Sequence, residues 1–189
     1  MSGTIVLVIV IVAVVVLAAI AIAAARSAKR RSALKQQFGP EYDRTVQDND
    51  SRRKGERDLQ ARTERREQLD IRPLSADAAE RYRSEWRMVQ ERFVDAPPES
   101  VAMAHTLLTS AMSDRGYPTS DQDERASLLS VDNADVVDHY RRGAETEQRW
   151  RTEGSSDTED LRQAMQHYRA VFDRVVGASD TPVTGASVS

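Results

Sequence analysis

The side chains best suited to proton transfer or metal binding are three histidines, His105, His139 and His167. Each falls in a different helical stretch. No two stand four residues apart, and no HExxH pattern is present. Their spacing demands no metal, so packed or surface imidazoles are expected. The chain has no cysteine, which excludes disulfides, thiolate metal sites and a cysteine nucleophile. Asp121, Asp123 and Glu124 form a small acidic cluster. A calcium loop would need glutamate at its twelfth position, and counting from Asp121 that position is Asp132. The acids read instead as the first turn of a helix, where they suit the macrodipole. Nucleophile-elbow, P-loop and dinucleotide fingerprints are absent. The expectation is a non-enzymatic chain with no catalytic, cofactor-binding or metal residues.

Arg115-Gly116-Tyr117-Pro118 is the most distinctive short stretch. One reading makes it an exposed recognition loop. The other makes it a helix cap and turn, with Gly116 closing a helix and Pro118 preventing its continuation. The local roles favour the second.

These residues need elements to hold them, and the periodicity supplies helices. Pro73 ends an upstream segment and Ser75 is placed as an N-cap. Ala79, Tyr82, Trp86, Val89 and Phe93 then share one helix face. Asp95-Ala96-Pro97-Pro98 is a stop and restart, followed by Val101, Ala104, Leu108 and Ala111-Met112. A third helix is predicted from Ser120 or Asp121 to Leu128-Leu129. A fourth is predicted from a Ser130 cap through Ala134, Val137 and Tyr140. Arg141 to Ser155 is polar and reads as helix extension or loop. Ser156 and Glu159 pair as a capping box. They open a helix with Leu161, Ala164-Met165, Tyr168, Val171-Phe172 and Val175 on one face, closed by Gly177. No segment alternates as a strand would. Residues 73–177 are therefore expected to be a bundle of about five helices, with Tyr82, Trp86, Tyr140, Tyr168 and Phe172 in its core. Residues 178–189 are small and polar and read as a disordered tail.

Residues 26–72 carry 14 basic and 9 acidic side chains, and residues 73–189 carry 13 and 21. Phe38-Gly39-Pro40 breaks any helix continuing from upstream. Ser51 to Asp70 reads as a mixed-charge helix. Asp58–Arg62 has the favourable acid-first spacing, and Arg52–Glu56 and Arg66–Asp70 the reversed one. Apolar positions are too few for a sustained coiled-coil seam. The segment is expected to be a solvated helical or partly disordered stalk. Acids accompany nearly every basic cluster, which argues against a nucleic-acid-binding arm.

Ile5 to Ala25 is an unbroken apolar run without charge, proline or glycine. As a helix it is about 30 Å long, the thickness of a bilayer core. A cleaved signal peptide would carry a basic start and a shorter apolar run. Residues 1–25 are therefore expected to be a retained, single-pass signal-anchor. Arg26, Lys29, Arg30, Arg31 and Lys35 follow it, and nothing basic precedes it. That asymmetry places the N-terminus outside and the soluble part in the cytoplasm, with anionic headgroups as neighbours of the five charges.

Phe38-Gly39-Pro40-Glu41-Tyr42-Asp43-Arg44, Ile71-Arg72-Pro73-Leu74-Ser75 and Arg81-Tyr82 with Trp86, Gln90 and Phe93-Val94-Asp95 carry a further likeness. Arg115-Gly116-Tyr117-Pro118, Thr158-Glu159-Asp160-Leu161-Arg162 and His167-Tyr168-Arg169 complete it. With the N-terminal span, these stretches resemble a group of actinobacterial membrane or secreted proteins of unknown function. The resemblance implies a cell-envelope protein and no transferable catalytic residue.

The expectation from all this is a membrane-tethered helical module that binds a protein partner. The rivals are a ligand or enzyme pocket between helices, lined by Trp86, Tyr140 or Tyr168 and one histidine, and an exported envelope protein.

Overall fold

A computed structural model describes residues 2–119, 121–154 and 157–177. Among them there are eight helices and no strand: α1 Ser2–Phe38, α2 Pro40–Asp48, α3 Arg52–Glu67, α4 Ala76–Arg92, α5 Pro97–Asp114, α6 Gln122–Asp132, α7 Val137–Glu153 and α8 Thr158–Gly177. The expected all-α class holds, and α4 to α8 are the five helices of 73–177. The tail at 178–189, Ser120 and the capping residue Ser156 lie outside the described residues.

The chain divides into two compact units, Met1–Glu56 and Arg57–Ser189. In the first, α1 does not stop at Ala25 but continues to Phe38. Gly39, at φ 49°, then turns the chain, and Pro40 occupies the first turn of α2. Leu34, Phe38, Tyr42 and Thr45 are buried, and the Tyr42 hydroxyl donates to Glu56 at 2.8 Å. Gly55 lets the start of α3 lie against α2, since a Cβ there would sit 2.9 Å from Val46 Cα.

In the second unit the caps explain the helix starts. The Ser75 hydroxyl accepts from the Ala78 amide at 3.2 Å, as expected of an N-cap. Asp121 accepts from the amides of Asp123 and Glu124, so the acidic cluster is a helix start. At the other helix the carboxylate of Asp157 accepts from the Glu159 amide at 3.4 Å, while Glu159 turns forward to Arg162 and Gln163. Ser130 is not a cap. Helix α6 runs through it to Asp132, its hydroxyl donates to the Ser127 carbonyl, and α7 starts only at Val137. The polar stretch after Arg141 is helix to Glu153, ended by Gly154 at φ 67°.

Helices α7 and α8 run antiparallel: Arg149 meets Asp160, His139 meets His167 and Asp135 meets Arg174 along their length. Helix α5 packs against α4, α7 and α8, and so forms the middle of the bundle. All five core aromatics expected from the sequence are buried, with Trp86 stacked on Phe172 at 4.5 Å between centroids. Gly143 is required where α7 meets α8, because a Cβ would lie 2.6 Å from the Tyr168 ring.

Residues from Arg57 onward belong to the second unit, where Leu69, Ile71 and Leu74 pack against the core. Asp58–Arg62 pairs at 2.7 Å as expected. Arg66 does not use Asp70. It pairs with Asp132 at 2.5 Å, leaving Asp70 to Arg72.

Candidate functional site

Helices α5, α7 and α8 bring a histidine and two tyrosines together around a carboxylate. His105 Nδ1 lies 2.5 Å from Glu147 Oε2, and the Tyr168 hydroxyl donates to the same oxygen at 3.0 Å. Arg151 donates to Glu147 Oε1 at 2.5 Å. A carboxylate only accepts, so His105 presents Nδ1–H to it. The imidazole stacks on the Tyr168 ring at 5.6 Å and meets the edge of Tyr140 at 6.4 Å. Arg125 donates to the Tyr140 hydroxyl at 3.0 Å and to the carbonyls of Pro118 and Thr119. Burial and the Glu147 carboxylate push the Tyr168 phenol up, because both oppose a second negative charge.

The convergence of Tyr140, Tyr168 and one histidine is the arrangement a pocket would need. The pocket itself is filled by those rings. Tyr140 and Tyr168 expose none of their surface and Glu147 exposes 2%. Trp86 does not join them; it borders a separate shallow cleft of about 310 Å³ with Phe172, Arg83, Arg87 and Arg169. The network is a set of core hydrogen bonds holding three helices in register. Glu147 was hidden in the polar stretch after Arg141, yet a signal was present. Val137, Tyr140, Ala144, Glu147 and Arg151 continue one face at spacings of 3, 4, 3 and 4.

The other two histidines meet each other. His139 and His167 place their Nδ1 atoms 2.8 Å apart across α7 and α8, half-buried. Desolvation, then the charge of His139 and that of Arg142, push His167 below its ordinary value, against a smaller opposite effect of Asp138. The unfolded chain therefore binds a proton that the folded one resists. Stability from this site is present above about pH 6.5 and is lost as pH falls through the lower folded value. Unfolding measured across pH 5–8 is expected to show that decline. His167→Gln should flatten it, and an unchanged slope would show that other groups set it. No group of three or more metal-ligating side chains occurs among the described residues.

Within Arg115 to Pro118, Gly116 is exposed, while Arg115 and Tyr117 turn inward. Arg115 exposes 8% of its surface and donates to the carbonyls of Arg72 and Val175, both at 3.0 Å. Tyr117 exposes 3%, and its phenol is pushed up to about 12 by burial and by Asp132. Pro118 is half-buried, and its carbonyl is taken by Arg125. The stretch ties together the approach to α4, the end of α5 and the end of α8.

The exposed features lie elsewhere. Arg26, Lys29, Arg30, Arg31 and Lys35 are all exposed on α1. At about 100° per residue they encircle the helix as a collar. They lie within the helical stretch Leu7–Phe38, whose most apolar 18-residue window has mean hydropathy 3.4 and no buried residue. On the bundle, α4 and α5 leave an open groove of about 710 Å³. Met88, Val89, Met103 and Leu107 line it with Arg81, Glu85 and Arg92 at its edge. Met88 and Met103 lie off the buried stripes, so the helical period does not single them out.

No family model, curated protein or solved structure matches this chain.

Proposed function

We propose that this chain is a single-pass, membrane-tethered helical interaction module of the cell envelope, in keeping with the actinobacterial likeness of its sequence. The observation that carries the reading is the uncovered apolar helix. Among the described residues, none in its most apolar window is buried. In water that exposure would cost about 25 cal/mol per Å², and lipid removes the cost.

The basic collar supports a cytoplasmic bundle, by the bias of arginine and lysine toward the inner face. A collar charge near the surface is worth about 1 kcal/mol of attraction to anionic headgroups, less at Lys35, which pairs with Asp43 at 3.4 Å. The filled core around Glu147 supports binding at the surface rather than turnover in a pocket.

The expected result is that the full chain stays with membranes after alkaline washing. A reporter fused after Ser189 should be active only in the cytoplasm. A mature chain beginning near Arg26 and free in solution would overturn the tether. A reporter active only outside would establish the exported reading instead.

A further inference from the structure

Outside α1, the large apolar side chains that stay exposed among the described residues are Met88 at 58%, Val94 at 82% and Met103 at 43%. All three belong to α4, α5 or the turn between them, on a bundle otherwise covered with charge. Met88 and Met103 share the α4–α5 groove, whose floor is Val89 and Leu107. Exposed apolar patches of this kind mark contact surfaces, and methionine suits them because its side chain adapts to what it meets.

The charges at the groove's edge say what the partner is. Arg81, Glu85, Met88 and Arg92 follow one another at spacings of 4, 3 and 4 on α4. Arg81 is engaged with Asp114 at 3.4 Å and only reaches Glu85 at 4.0 Å. Arg92 makes no ion pair among the described residues. Glu85 and Arg92 therefore retain free valence, and they stand symmetrically about the midpoint of Met88 and Val89. Each is about 5 Å from that midpoint along the helix. If a second α4 crosses antiparallel at that point, each Glu85 faces the Arg92 of the other copy, and the two Met88 side chains meet on the axis. A surface that complements itself about a two-fold axis is what an isologous dimer requires.

We infer that the α4–α5 groove is the interface of a symmetric homodimer, filled by the same groove of a second copy. The inference deepens the interaction-module reading and rests on it. Confinement to a membrane would favour the pairing, because tethering raises the effective concentration of one copy near another.

The chain's lack of cysteine makes the test clean. Full-length protein in membranes is given one cysteine, Met88→Cys, and treated with copper–phenanthroline or a short bis-maleimide. Glu145→Cys, exposed on α7, is the control, and Met103→Cys is a second groove probe. Groove cysteines are expected to cross-link and the control is not. In the Met88→Cys background, Glu85→Arg or Arg92→Glu alone should cut the yield roughly tenfold, by setting like charges opposite each other. The two together should restore it. Helicity measured by circular dichroism checks that each variant folds. Cross-linking no greater than the control would overturn the dimer and leave the groove to another partner. So would a yield indifferent to the single charge changes, or no restoration in the double variant. Membrane fractionation of the same samples reports the tether separately.

Discussion

Replacing Glu147 by alanine is expected to lower the unfolding midpoint of the bundle by about 10–20 °C. The carboxylate is 2% exposed and serves three donors, His105, Tyr168 and Arg151. Arg151 is half in solvent and can rehydrate when its partner is lost. His105, with a side chain 16% exposed, and the buried Tyr168 hydroxyl rehydrate far less readily. Removing one member of a buried ionic network costs about 3–5 kcal/mol, mainly through the groups left without partners. Tyr168→Phe alone removes a single donor, and about 1 kcal/mol is expected. In the alanine background the same change should cost less or even stabilise, since it deletes one of the orphans. Thermal unfolding of the four proteins gives the coupling directly. Additive effects would show that Glu147 does not organise the network.

The network also shows which parts of the molecule are legible from residue patterns. Helix faces with large apolar side chains are plain: Trp86, Tyr140, Tyr168 and Phe172 all lie where a 3.6-residue period puts them. Chain breaks at Gly39-Pro40 and Pro97-Pro98 are plain for the same local reason, since glycine and proline act on their own backbone. Ser130 misleads because a serine suits a cap but also tolerates a helix interior when its hydroxyl returns to the backbone, as it does to Ser127. The next helix, α7, opens instead after Val136, with no side-chain cap.

Pairings between distant segments are not legible. Arg66 has Asp70 at helical spacing, yet it finds Asp132, because the end of α3 lies beside α6. His139 and His167 become neighbours only through the antiparallel course of α7 and α8. The groove is hidden for a further reason. Met88 and Met103 interrupt no periodicity, and their exposure depends on what the neighbouring helix leaves uncovered.

Gly116→Ala is the second large effect expected, at about 2–5 kcal/mol. Gly116 closes α5 in a Schellman arrangement: its amide donates to the Ser113 carbonyl at 2.8 Å, and the Tyr117 amide donates to Met112 at 3.0 Å. Its φ is +102°, a conformation that a side chain resists by about 1–2 kcal/mol. Space adds to conformation here. A Cβ would stand 2.4 Å from the Asp70 carbonyl oxygen, a backbone atom with no rotamer to change. Moving that backbone strains its neighbours. The Arg72 amide donates to the Arg115 carbonyl at 2.8 Å, and the Arg115 guanidinium returns to the Arg72 carbonyl at 3.0 Å. Overpacking of this kind adds about 1–3 kcal/mol. Gly154 separates the two contributions. It also has positive φ, at +67°, but nothing lies within 4 Å of a Cβ built there. Gly154→Ala should show the conformational part alone, about 1–2 kcal/mol. Chemical unfolding of both variants measures the difference. Equal losses would mean that the contact with Asp70 yields without cost, and that Arg115 does not hold the segment entering α4 in place.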